Sequence, residues 1–281
     1  MIACWEDLAE QRKGALMSYI DLEGTLKNLC LTLFVESYQT EAERCEKEGV
    51  DHVGYLTTLA RGEWERRQHQ RIERLLKHSK IPRDKRLSDF EITRVPGLSP
   101  SLVHRLADGD FIDRCENILI FGNPGTGKTH LCIAFAREWC LKGRRVLFTS
   151  ACVLVQELLR AKQTFQLDQA IRRLDRFEVL VIDDLSYVTC DRNETDVLFA
   201  LLAARYEQRS VVITSNLVFS QWHQIFKDEM TTAAAIDRLV HHATVLELNV
   251  ESYRMQQAKG RKKNKTLSDN VHQGEDEAMI K

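Results

Sequence analysis

The chain of 281 residues is poor in the features that mark several protein classes. Its eight cysteines (Cys4, Cys30, Cys45, Cys115, Cys132, Cys140, Cys152 and Cys190) include no C-x-x-C pair. That spacing argues against a zinc ribbon or a dithiol redox motif and leaves the thiols as small core residues of a reduced protein. Only 4 prolines and 13 glycines are present, so many helices and little loop are expected. Net charge is −1, so no partner follows from overall charge, and a surface for a polyanion must come from local patches. No apolar run approaches membrane-spanning length. The first 15 residues carry Glu6, Asp7, Glu10, Arg12 and Lys13 and lack a leader's apolar centre, so a cytoplasmic protein away from membranes is expected.

What is there is ordered along the chain. Residues 1–86 read as a helical module: apolar residues recur at helical spacing in "LKNLCLTLFVESY" and in "VGYLTTLARGEWERRQHQRIERLLKHSKI", and Pro82 closes the second run. Residues 61–86 hold ten Lys/Arg against four Asp/Glu, which suits either a solvated helix face or a surface for nucleic-acid phosphates. Residues 87–116 read as a connector with turn signals at Pro96-Gly97 and Asp108-Gly109 and one short helix. Residues 117–254 alternate strand-like runs ("NILIFG", "RRVLFTS", "EVLVIDD", "SVVITSN", "TVLELN") with helical segments, the pattern of a parallel sheet covered on both faces. Residues 255–281 form a polar tail, expected to be disordered.

Three elements carry chemistry. Gly122-Asn123-Pro124-Gly125-Thr126-Gly127-Lys128-Thr129 fits G-x-x-x-x-G-K-[ST] between a strand and a helix. Its glycines let backbone N–H groups approach phosphate, and the helix beginning near Lys128 adds its positive end. Lys128 then faces the β- and γ-phosphates, and the Thr129 hydroxyl is a ligand for Mg²⁺. The buried run 179–182 ends on Asp183, assigned to the metal, and Asp184, placed to polarise water. The run 210–213 ends on Thr214, Ser215 and Asn216, whose amide is placed to hold the attacking water. ATP and Mg²⁺ are the implied ligands. His241 and His242 are not read as a metal pair: adjacent helical residues diverge, and no third ligand is obvious.

Taken with "GNPGTGKTHL" (which includes His130), "RRVLFTSACVLVQELL", "LVIDDLSYV", "LLAARYEQRSVVITSNLVFSQW", "AAAIDRLVHHATVLELNVESYR" and "LSDFEITRVPGL", the chain resembles the AAA+ ATPases, and within them the IstB-like helper proteins of insertion-sequence transposition, relatives of the DnaC helicase loader. The likeness spans roughly residues 15 to 254. It implies an α/β fold: a small helical N-terminal domain, then an AAA+ P-loop core built as an αβα sandwich with an abbreviated lid. It implies ATP hydrolysis, a ring or spiral homo-oligomer with nucleotide at its junctions, duplex DNA gripped through its backbone, and a transposase partner; a helicase loader is the alternative. It also implies that Arg238 in "AIDRL" is an arginine finger acting on a neighbour's ATP, and that Arg254 in "ESYR" is a second sensor. Arg66, Arg67, Arg71, Arg74 and Lys77 on the basic helix are expected to meet DNA phosphates. So are Arg160, Lys162, Arg172 and Arg173, between two core strands, where related ATPases turn loops toward a central pore. Two departures stand out: many AAA+ proteins have Asp-Glu where this chain has Asp183-Asp184, and Ala234 occupies a position where loaders often carry another arginine. A small-molecule kinase is disfavoured, because the chain after the acidic pair leads to a strand-end Asn and two separated Arg motifs rather than an Arg-rich lid.

Overall fold

The computed structural model describes residues 22–187, 192–226, 229–250 and 252–253. The tail 255–281 and Arg254 lie outside them, as do Cys4 and Cys190. The chain forms two compact units, residues 1–73 and 74–281.

The first unit is helical. Helix α1 (Leu22–Asn28) and helix α2 (Thr32–Glu48) precede α3 (His52–His78), a long helix whose last turns belong to the second unit. Asp51 starts α3 by accepting the Gly54 N–H at 2.8 Å, an N-terminal cap. Leu59 and Cys45 are buried between the helices. The interaction that ties them is polar. Glu63, only 4% exposed, accepts the Leu33 N–H at 2.8 Å and the Arg67 Nε–H at 2.8 Å, with Arg66 Nε at 3.9 Å. Burial alone pushes this carboxyl up, but the Leu33 N–H and the two guanidinium groups more than offset that, and it sits below the usual range. Arg67 also donates to the Cys30 carbonyl at 2.8 Å, and Arg66 reaches Glu36 at 3.5 Å.

The second unit is a five-stranded parallel sheet in the order β2-β3-β4-β1-β5: β1 Asn117–Gly122, β2 Val146–Ser150, β3 Val179–Asp183, β4 Ser210–Ser215 and β5 Ala243–Leu248. β3 and β4 are buried throughout, as continuous apolar runs in a two-faced sheet require. β5, at an edge, alternates instead, with Leu246 and Leu248 inward and Val245 outward. On one face Leu119, Leu180 and Ile213 pack against α7 (Ala151–Gln163) and α9 (Arg192–Arg205). On the other face Ile118, Ile120 and Val181 pack against α6 (Lys128–Leu141). Helix α8 (Leu167–Leu174) follows α7, and α10 (His223–Phe226) and α11 (Glu229–Val240) precede β5.

The readings of residues 87–116 as a connector and of the cysteines as core residues change here. The helix that begins at Lys128, α6, is covered on both sides: Leu131, Cys132, Ile133, Phe135, Ala136, Trp139 and Cys140 are all buried. The reason is the segment read as a connector. Residues 87–116 fold into α4 (Pro100–Asp108), α5 (Asp110–Asp113) and two 3-10 turns, and Val103, Leu106, Phe111 and Ile112 cover the outer side of α6. Trp139 Nε1 donates to the Leu106 carbonyl at 2.8 Å, and Phe111 meets its ring edge-on at 5.1 Å. This segment is part of the core. Among the described cysteines, Cys45, Cys132 and Cys140 are buried, whereas Cys30 and Cys152 are exposed. No described helix is long and apolar enough to cross a membrane.

The arrangement around Glu63 yields a test. Glu63→Gln removes the negative charge but keeps the shape, so the bonds from the Leu33 N–H and Arg67 weaken and the attraction to Arg66 is lost. The first unit should lose about 2 kcal/mol of stability, read as a lower midpoint in denaturant titration.

A nucleotide-sized cavity at the strand ends

In a parallel sheet the carboxyl ends of neighbouring strands converge, and β3, β4 and β1 are adjacent. Their last residues bring Asp183, Asn216 and the loop after Gly122 together. The loop is shaped by glycine. Gly122 has φ of 151°, and a Cβ there would lie 2.5 Å from the Leu248 carbonyl oxygen. Gly125 has φ of 84°, and a Cβ there would lie 2.2 Å from Ser252 Oγ. Only glycine fits such close backbone approach without displacement. The Tyr253 N–H donates to the Gly125 carbonyl at 3.0 Å, so the chain after β5 holds the loop from outside.

Lys128 is 4% exposed, and its ammonium group is fully engaged by backbone and amide oxygens. Nζ donates to the Gly122 carbonyl at 2.7 Å, the Asn123 carbonyl at 2.9 Å and Asn216 Oδ1 at 2.5 Å. The same ammonium therefore touches the ends of β1 and β4. Asn216 is positioned in turn by Ser186 Oγ, which accepts its N–H at 3.1 Å.

Asp183 is buried and accepts two hydroxyl bonds on one oxygen: from Thr129 at 3.1 Å and from Thr214 at 2.6 Å, both to Oδ1. A carboxylate beside a threonine hydroxyl is a hard oxygen donor set suited to Mg²⁺, and Thr129 and Asp183 are the residues that could hold it. Thr214 also accepts the Asp184 N–H at 2.8 Å. Asp184 has φ of 58°, a left-handed conformation that aspartate tolerates at some cost. One hydroxyl thus orders both acidic residues. Beneath them, burial pushes the Cys132 thiol well up, and the charge of Asp183 pushes it further, so it stays neutral.

Beside them lies a cavity of about 650 Å³, of a size that suits a nucleotide. Pro124 to His130, Asp184 and Asn216 form one side, and Phe90, Arg94 and Pro96 of the preceding segment form the other. Phe90 lies beside His130, ring centroids 5.7 Å apart, while His130 Nε2 pairs with the Arg86 carbonyl at 3.1 Å. The Arg94 guanidinium stacks over Tyr253 at 5.2 Å and pairs with Glu91 at 2.6 Å. Thr214, Ser186, Phe90 and Tyr253 were not singled out from the sequence as site residues. A threonine at a strand end beside an acidic strand end was the available signal for the first. Arg238 is not brought to this cavity within the chain: it donates to the Ala234 carbonyl at 3.1 Å, and its guanidinium lies 4.7 Å over the Phe199 ring.

The match to known proteins agrees with this geometry. Residues 24–261 match the family model of IstB-like ATP-binding proteins. The chain belongs to that family. It is 46% identical over 218 residues to an insertion-sequence ATP-binding protein of Sinorhizobium fredii, covering 77% of this chain and 73% of the relative. It is 35% identical over 247 residues to the IS21 ATP-binding protein of Pseudomonas aeruginosa, covering 87% and 92%. In fold it is similar to AMPPCP-bound DnaA from Aquifex aeolicus, with a TM-score of 0.51 at 18% identity over 66% of this chain and 56% of that one. The parallel sheet covered by helices on both faces is what the strand pattern led one to expect, and its likeness to DnaA agrees with the AAA+ P-loop core that the resemblance implied.

The shared hydroxyl can be tested directly. Thr214→Val keeps volume and strand preference but removes the hydroxyl that the Asp184 N–H donates to and that donates to Asp183 Oδ1. It should cost about 2 kcal/mol of thermal stability, whereas Thr214→Ser should keep most of it.

Proposed function

We propose that this IstB-like protein hydrolyses ATP to control its own assembly on DNA, in the service of a transposase. The observation that carries this reading is that Lys128, Thr129, Asp184 and Asn216 line one cavity at the ends of three adjacent parallel strands, with Asp183 accepting the Thr129 hydroxyl beside it. Each has a distinct task. Lys128 leaves its carbonyl partners for the β- and γ-phosphates, Thr129 and Asp183 hold Mg²⁺, Asp184 polarises water, and Asn216 positions it. Loop N–H groups at the start of α6 supply the remaining charge stabilisation. Phe90 and Tyr253 offer apolar surface to the base. Mg²⁺ neutralises phosphate charge when bound.

The relatives' insertion-sequence context supports transposition as the setting and a transposase as partner. Arg238 fits a role in trans: in an assembly its guanidinium would leave Phe199 for a neighbour's γ-phosphate. The charged surface narrows the choice of DNA contacts. Arg66 and Arg67 are committed to Glu63, and Lys162 pairs with Asp196 at 3.0 Å. Arg71, Arg74, Lys77, Arg160, Arg172 and Arg173 are exposed and are the better phosphate contacts.

Two experiments decide the reading. Lys128→Ala should abolish nucleotide binding in a folded protein, and Asp184→Asn should leave binding intact but slow turnover by roughly 10²-fold or more; normal turnover in Asp184→Asn would remove Asp184 from its role. For DNA, affinity should rise with an ATP analogue and fall steeply with salt. Changing Arg71, Arg74 and Lys77 together to Ala should reduce the log–log salt slope by roughly one unit per lost contact. If neither nucleotide nor the triple change alters affinity, the DNA role is wrong.

A further inference from the structure

The opposite end of the sheet holds a second cluster, about 20 Å from the first by the length of a six-residue strand. Helix α9 ends at Arg205 and α11 at Val240, and the turns that follow bring Glu207 against His241 and His242. We infer that these three residues form a binding site for a divalent transition metal of the zinc class. Their donor atoms all lie within 4.8 Å of one another. Glu207 Oε1 is 3.8 Å from His241 Nδ1 and 3.6 Å from His242 Nε2. Tetrahedral coordination at roughly 2.0–2.1 Å needs donors about 3.3 Å apart, which small side-chain rotations supply because all three residues are exposed. Two imidazoles and a carboxylate suit zinc, nickel or cobalt and leave a fourth position to water.

The sequence argued against this site, because neighbours on a helix diverge and no third ligand was in view. In the structure the pair lies just past the helix, where the chain turns, and the third ligand comes from 34 positions upstream. The backbone there is fixed. The Asn117 N–H donates to the His242 carbonyl at 2.7 Å, and the His241 N–H to the Asp237 carbonyl at 3.0 Å. Tyr206 Oη lies 2.8 Å from His241 Nδ1. Nδ1 is the nitrogen that faces Glu207, so a metal bound there takes the place of the Tyr206 hydroxyl on it. Two helix C-termini meet at the site, and their negative ends favour a cation. A bound metal would tie α9 to α11, and so join the helix that carries Phe199 to the one that carries Arg238.

The test uses the full chain, stripped with chelator and titrated with Zn²⁺ by calorimetry and with Co²⁺ by visible absorption. Wild type should bind one ion at this site, with Co²⁺ bands of imidazole and carboxylate coordination and a raised Tm. Glu207→Gln and His242→Ala should each weaken that binding by at least about tenfold and lose the Tm rise, with nucleotide affinity unchanged as the control for folding. Thiolate charge-transfer bands that persist in both variants would place the ion on cysteines and overturn the proposal. Absence of binding to the wild type, leaving an exposed ion pair only, would overturn it as well.

Discussion

A lysine that is 4% exposed needs partners, and the position of Lys128 follows from where those partners are. Its ammonium is held by two carbonyls that β1 delivers at its end and by the amide that β4 delivers at its end. Those oxygens converge only if β1 and β4 are parallel neighbours in register, as they are from Ile118 with Val212 to Phe121 with Ser215. The register in turn requires both strands to be buried on two faces, which α6 and α9 provide. Core packing and phosphate chemistry are therefore coupled through one side chain. The same oxygens that satisfy Lys128 without a ligand are weaker partners than a triphosphate, so the cation is stored in place and aimed at the cavity.

The acidic strand end shows a similar economy. Asp183 and Asp184 are adjacent in sequence, yet one belongs to the last residue of a strand and the other to a left-handed turn. Without a fixed turn both carboxylates would compete for one cation. The Thr214 hydroxyl separates them by donating to the first side chain and accepting from the second backbone. A β4 residue therefore governs how β3 presents its charges.

The strands and the phosphate loop were legible in the sequence because each is a short contiguous signal: a buried apolar run, or glycines at fixed spacing before a lysine. The segment 87–116 was not. Its apolar residues lie on short helices and 3-10 turns too brief to show a period, and their purpose is set by the far side of α6, whose own all-round apolar character was the missed clue. The pairing of Arg66 and Arg67 was also hidden. Charge counting treats every arginine as available, while the structure places a buried glutamate between two helices that consumes both. The Glu207 cluster depends on the turns after two helices meeting at one end of the sheet, a tertiary fact with no local trace.

The shorter acidic residue at position 184 changes which part of the chain controls hydrolysis. A glutamate reaches a water through an extra methylene and adjusts by rotation. An aspartate has less reach, so its carboxylate goes where its backbone puts it. At Asp184 that backbone is held at φ of 58° by the Thr214 hydroxyl and followed by a 3-10 turn whose Ser186 positions Asn216. The proposed water-polarising and water-holding groups are thus set by one short connection, residues 183–186, braced against β4. A shift of β4 relative to β3 would move both groups and the partner of Lys128 together. Such a site is suited to report whether a nucleotide is properly seated, because a single displacement of the strand end withdraws both groups proposed to act on the water and the amide that holds Lys128.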